Sequence, residues 1–216
     1  MSRYIVGLNI GNHDSAACLI KDGVLLFYAE QERFSKNKMA LGEAPVDALL
    51  YCLNLSNITL KDVDAIAIGM NWQYRNKLYE EPDYELKKYQ KMDDIEWYLP
   101  LSIFGDFRSP VHYVSHHLAH ASSAYRLSGF QESAVLVIDN RGEDASSSLG
   151  FASNGKIDFF KKVDIANSLG MFYNSACRYT GLYGKHREVG KLMGLASYGA
   201  PTIKMPITVD RSGKLY

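Results

Sequence analysis

The stretch YIVGLNIGNHDSAACLIKDGVLLFYAE, Tyr4 to Glu30, decides the fold. Tyr4–Ile10 is an apolar run rich in β-branched residues, the pattern of a buried strand. Gly11-Asn12-His13-Asp14 breaks it with turn residues. Ser15–Ile20 reads as a second strand, Lys21-Asp22-Gly23 as a hairpin turn, and Val24–Glu30 as a third strand. The chain therefore begins as a three-stranded meander whose first turn is polar.

Outward from there, Pro45–Leu55 carries apolar residues at helical spacing and Asp62–Met70 returns as a strand. Gln73–Tyr98 is dense in Lys, Glu, Asp and Tyr, weak in core pattern, and reads as an exposed helical excursion. Phe104–Pro110 is a loop, Val111–Val114 a short strand, and Ser115 is placed to cap a helix through Tyr125. Ser133–Asp139 is another buried strand, ending in a carboxylate. Ser146–Ala152 and Ile157–Val163 form a hairpin around Asn154-Gly155. Ser168–Thr180 and Glu188–Leu195 read as helices. No internal repeat or low-complexity linker is visible, and residues 201–216 are short and turn-rich.

The composition narrows the class. A chain of 216 residues suits one generous domain or two small lobes, and buries roughly 70% of its unfolded surface. Hydrophobic residues at 47% and charged residues at 22% exclude a disordered, collagen-like or coiled-coil chain. Lys+Arg and Asp+Glu both number 24, so no global charge footprint for nucleic acid or an anionic membrane exists. Cys18, Cys52 and Cys177 form no CxxC pair, which fits a reducing compartment and mostly buried thiols. The start lacks a signal-peptide pattern, and no apolar run approaches the roughly 20 residues of a span. The expectation is a soluble, cytoplasmic chain.

The sharpest chemical feature is His116-His117-Leu118-Ala119-His120. On a helix, His116 and His120 share a face and can grip one transition metal, while His117 points away. Asp139, at a strand end, completes a His-His-Asp set. The plain alternative is a helix with surface histidines and an Asp closing a strand. In the turn Gly11–Ser15, His13 can act as a general base with Asp14 orienting it; taken alone the turn is an ordinary hairpin. Gly190-Lys191-Leu192-Met193-Gly194 is not a Walker A loop, and reads either as an anion contact through Lys191 or as a helix end. Glu32–Lys38 is a solvated loop or, through Arg33 and Lys38, an anion contact.

Taken together these stretches resemble the O-carbamoyltransferase family, the nodulation-type and antibiotic-tailoring enzymes, over its N-terminal part. The matching segments are His13-Asp14-Ser15-Ala16-Ala17, Gln31-Glu32-Arg33-Phe34, Ser115–Ala121, Val137-Ile138-Asp139 with Gly142-Glu143, Ser168-Leu169-Gly170, and Gly190–Ala196 with Tyr198-Gly199. They run in family order to about Pro201. Only the 73–98 excursion and the last residues fall outside.

The resemblance implies an α/β fold of actin/hexokinase-like (ribonuclease-H-like) type: a mixed sheet flanked by helices, here incomplete. Residues 1–200 are the expected lobe and 201–216 the start of a truncated following region. It implies transfer of a carbamoyl group from carbamoyl-adenylate, made from carbamoyl phosphate and ATP, to a hydroxyl of a small-molecule acceptor. His116, His120 and Asp139 become ligands of a divalent metal, usually iron. His13 and Asp14 become the activating pair, and Lys38, Gly190, Lys191 and Gly194 the nucleotide or carbamoyl contacts. After Lys38 the family usually has His-Asp, where Met39-Ala40 stand here; Asn140 and Ser197 replace a usual Gly and Pro. A longer native chain or a second chain is expected to supply the C-terminal lobe and a YrdC-like domain. The shorter chain is then expected to expose an apolar face and to transfer weakly or not at all alone. Alternatives are a non-catalytic metal- or nucleotide-binding module, one half of a split enzyme, a tRNA threonylcarbamoyl-type relative, disfavoured by the neutral charge, and a sugar-kinase relative, disfavoured by imidazole ligands.

Overall fold

The computed structural model describes residues 2–11, 13–78, 92, 94–182 and 189–202. Its contacts divide the chain into two units, residues 1–119 and 120–216.

The first unit holds a five-stranded sheet. The meander is β1 (Tyr4–Asn9), β2 (Ala16–Lys21) and β3 (Val24–Glu30); β4 (Ala65–Ile68) and β5 (Val111–Tyr113) follow, in the order β3-β2-β1-β4-β5. β2 runs antiparallel to β1, with Tyr4 opposite Lys21 and Asn9 opposite Ala16. The hairpin between β2 and β3 needs two left-handed residues; Asp22 (φ 51°) and Gly23 (φ 83°) supply them. β4 lies parallel to β1 on its other edge, Ile5 beside Ala65 and Leu8 beside Ile68. A parallel neighbour requires a crossover, and that crossover contains helix α1 (Val46–Leu55). α1 buries Ala48, Leu49, Cys52 and Leu53, the i, i+1, i+4, i+5 stripe of an amphipathic helix. They join Val6, Leu8, Leu19, Ile66 and Ile68 in one core. A mixed sheet with a helical crossover is the α/β class the sequence called for.

Most described residues of the 73–98 excursion are exposed, and a few large ones are buried. Helix α2 (Trp72–Leu78) buries Trp72 and Arg75, and Met92, Tyr98 and Leu99 are also in the first core. Large side chains compensate for a diluted apolar pattern. The Trp72 indole donates to the Ile10 carbonyl at 3.2 Å, the Arg75 guanidinium stands 5.1 Å over the Trp72 ring, and the Tyr98 and Tyr113 hydroxyls are 2.9 Å apart. Residues 79–91 and 93 of the excursion, and residues 203–216 of the C-terminal stretch, lie outside the described residues.

Helix α3 (His116–Ser128) leads into the second unit, followed by the antiparallel sheet β6 (Glu132–Ile138), β7 (Ser147–Ser153) and β8 (Lys156–Val163). The expected turn is present: Asn154 and Gly155 have φ of 49° and 76°. Ala121, Tyr125, Val135, Val137 and Ala152 form the core. β6 is not the fully buried strand its apolar run suggests, since Leu136 and Ile138 are 63% and 56% exposed. It is an edge strand of this sheet, and Val135 and Val137, two residues apart and so on one face, are the ones that pack with α3. Helix α4 (Leu169–Tyr179) starts at Ser168, whose hydroxyl accepts from the Met171 N–H at 3.0 Å. Helix α5 (Val189–Ala196) buries no residue. Cys52 and Cys177 are buried and Cys18 is partly so, as the thiol reading required. No helix among the described residues is long and apolar enough to cross a membrane.

Candidate functional site

His116 opens α3 and His120 follows one turn later on the same face. The helix is continuous, so both imidazoles ride on one element. The His116 Nδ1 lies 3.1 Å from the Gly69 carbonyl. A carbonyl only accepts, so Nδ1 carries the proton and Nε2 the lone pair. This is how a metal-binding imidazole is usually oriented, by a bond from its other nitrogen. His117, on the adjoining face, is buried and outside this group.

Asp139 comes immediately after β6. Its N–H donates to the Ser146 carbonyl at 2.8 Å, which extends the β6–β7 ladder by one step and holds the residue. Its Oδ1 accepts from the Asn140 N–H at 2.6 Å. Its Oδ2 stands 3.9 Å from His120 Nε2. One ligand atom each from His116, His120 and Asp139 lies within 4.8 Å of the other two. N and O donors surround zinc-like ions tetrahedrally at about 2.0–2.2 Å, so neighbouring donors on one ion stand about 3.3–3.6 Å apart. The set therefore gathers around a single ion once the side chains close in by up to about 1.5 Å. Two imidazoles and one carboxylate also suit a first-row transition metal better than magnesium or calcium.

The second group lies in the first unit. His13 Nδ1 and Asp14 Oδ2 are 2.6 Å apart, and both side chains are more than half exposed. Asp14 is left-handed (φ 56°) and is fastened through its backbone: its carbonyl accepts from the Asn9 amide at 2.7 Å, and its N–H donates to the Met39 carbonyl. Met39 donates to Glu32 Oε2 at 2.6 Å. Thus the turn carrying Lys38 abuts the His13–Asp14 loop, and Glu32 ties it down. Met39 and Ala40 are both left-handed (φ 65° and 43°), a conformation non-glycine residues hold only when surroundings impose it.

Gly190, Lys191 and Gly194 are exposed on α5 in the second unit, and a Cβ at either glycine would meet nothing within 4 Å. Nothing in this packing requires glycine at those positions. Lys38 is exposed in the first unit.

Several supporting residues had no assigned role. Gln31 is buried; its amide donates to Asp47 at 2.8 Å and accepts from the Ala48 N–H at 3.1 Å. Ser15 donates to the Glu43 carbonyl at 2.6 Å. Trp72 underlies Gly11, where a Cβ would come within 2.8 Å of the indole. In the sequence Gln31 shows only as a polar residue directly after a strand, in the segment Gln31–Phe34 that carries the resemblance.

A family model described as the carbamoyltransferase N-terminus matches residues 4–209. The chain belongs to that family. It is 33% identical over 194 residues to the nodulation protein NolNO of Sinorhizobium fredii, covering 88% of this chain and 28% of that protein. It is 31% identical over 232 residues to an uncharacterized protein, sll1178, of Synechocystis, covering 92% and 35%. It is also 41% identical over 88 residues to the nodulation protein NolO of Bradyrhizobium diazoefficiens, covering 41% and 16%. The chain spans about a third of the length of the first two. Among solved structures it is similar to YeaZ from Pseudomonas aeruginosa (TM-score 0.42, 19% identity, 73% of this chain and 64% of that one). It is also similar to a ROK hexokinase from Thermus thermophilus (TM-score 0.39, 16% identity, 72% and 48%).

Proposed function

We propose that this chain carries the acceptor-activating and metal-binding residues of an O-carbamoyltransferase. The observation that supports the reading most is the convergence of His116, His120 and Asp139 in a chain of the carbamoyltransferase N-terminus family. The donor is carbamoyl-adenylate, formed from carbamoyl phosphate and ATP, and the acceptor is a hydroxyl of a small molecule. The acceptor oxygen attacks the carbamoyl carbon, the bond from that carbon to the phosphate oxygen breaks, and AMP leaves. His13 takes the hydroxyl proton at Nε2 while Asp14, bonded to Nδ1, holds the ring. His116, His120 and Asp139 would hold a metal ion, which when bound would supply Lewis-acid stabilisation of the charge that develops on the phosphate. Lys38 adds positive charge beside the His13–Asp14 loop. Lys191, with the open backbone at Gly190 and Gly194, is the proposed second anion contact. The remaining length of the relatives is where the adenylate-forming domain and the rest of the cleft belong, in the same polypeptide or a partner.

The test is elemental mass spectrometry on the purified chain and its His116→Ala, His120→Ala and Asp139→Asn variants. Stoichiometric iron or zinc in the parent, lost in each variant, is the expected result. A metal-free parent that takes up no added Fe(II) or Zn(II) sinks the reading.

A further inference from the structure

The N-terminal turn of α4 packs against Asp139-Asn140, and this contact has no part in the chemistry above. Three observations define it. Ser168, 2% exposed, caps α4 and also donates its hydroxyl to the Asn140 carbonyl at 2.7 Å. Gly170 approaches the same residue so closely that a Cβ there would lie 2.7 Å from Asn140 Cα and 3.1 Å from its N. Asn174, one helical turn further on, donates from its amide to Asn140 Oδ1 at 2.9 Å.

Asn140 is thus held at its carbonyl, its backbone and its side chain by one helix. Its N–H in turn donates to Asp139 Oδ1. With Oδ1 engaged there and the Asp139 N–H engaged by Ser146, Oδ2 is left on the His120 side. The orientation of the carboxylate is therefore set from α4, 29 to 35 residues downstream in sequence.

We infer that Ser168, Gly170 and Asn174 are positioning residues that set the metal affinity of the His116–His120–Asp139 group by clamping Asn140. The inference rests on the metal reading of that group. Residues that orient metal ligands typically alter affinity by about 10- to 100-fold. Gly170 must be glycine because the neighbour it meets is backbone, which cannot swing aside.

The experiment is titration of the purified chain with Co(II), followed by calorimetry and by the visible d–d absorption of the bound ion. Ser168→Ala, Asn174→Ala and Gly170→Ala should each weaken Co(II) binding by about tenfold or more, and Ser168→Thr, which keeps the hydroxyl, should restore it. Gly150→Ala is the control. A Cβ at Gly150 would lie 2.5 Å from the Asp158 carbonyl oxygen in the β7–β8 ladder, so it strains the same unit without touching Asn140. If Gly170→Ala does not fold, the Ser168 and Asn174 variants carry the test. Co(II) binding lost in His120→Ala and Asp139→Asn but unchanged in the clamp variants, or weakened no more than in Gly150→Ala, overturns the clamp alone. Binding that survives His120→Ala and Asp139→Asn, or no Co(II) binding by the parent, overturns the metal reading and the clamp with it.

Discussion

β1 and β6 begin the same device, a strand followed by two antiparallel partners, but they are buried differently. β1 is paired on both edges, with β2 antiparallel and β4 parallel. Its Val6 and Leu8 are 0% and 4% exposed within a core that draws on four other strands' worth of sheet and on α1. β6 has β7 on one edge, and its three-stranded sheet contains no further strand among the described residues. Val135 and Val137 are buried while the alternate residues Leu136 and Ile138 are not. Two apolar runs of similar composition thus acquire different environments. In each strand one face packs into its core; the alternate residues Ile5 and Gly7 of β1 are half-buried, whereas those of β6 are exposed.

The largest effect that would test this contrast is Leu49→Ala. Leu49 is fully buried in the first core, and such truncations cost about 2–5 kcal/mol. Urea unfolding followed by tryptophan fluorescence should report it, because Trp72 and Trp97 both lie in the first unit. A loss below about 1 kcal/mol would mean that this core is not close-packed. Val135→Ala should cost less, about 1–2 kcal/mol for two methylene-sized groups, read by amide exchange along β6 and β7. Smaller again is a change of slope. Burial raises the Cys18 thiol, and raises Cys52 to about 11 with the Cys18 charge adding to it. Neutral thiols favoured in the folded state contribute stability that is complete below the unfolded value near 9.0 and is lost as pH rises towards 11. Cys52→Ala should therefore flatten the fall in stability across that window; an unchanged slope would contradict the burial. The smallest effect is Leu136→Ala, expected within about 0.5 kcal/mol because the side chain is largely exposed. If Leu136→Ala matched Val135→Ala, the two faces of β6 would not differ as described.

The legible parts of the candidate site were the local ones. His116 and His120 sit four residues apart in a segment that reads as helix, so their shared face follows from helical geometry alone. Asp139 was visible as a strand-ending carboxylate. That His13 meets Asp14 also needed only adjacency. What was not legible is everything carried by distant chain. Glu32 binding Met39, Gly69 fixing the His116 tautomer, and Ser168, Gly170 and Asn174 fixing Asn140 involve no shared period or local motif. The buried residues in and beside the excursion are a related case. Tyr98 and Trp72 are isolated large residues in a polar stretch, and isolated residues make no periodic signal even when each fills a core position.

The sequence by itself determined the N-terminal meander, the hairpin at Asn154-Gly155, the amphipathic face of α1 and the spacing of the two histidines. These depend on backbone preferences and side-chain periodicity over a few residues, which are written locally. Only the tertiary structure decided that Asp139 Oδ2 comes to 3.9 Å from His120 Nε2, that a helix beginning at Ser168 holds the residue beside it, and that Ile5 and Gly7 of β1 are half-buried where Leu136 and Ile138 of β6 are exposed. Those outcomes depend on which distant segments pack together, and packing is a property of the assembled surfaces rather than of any one stretch.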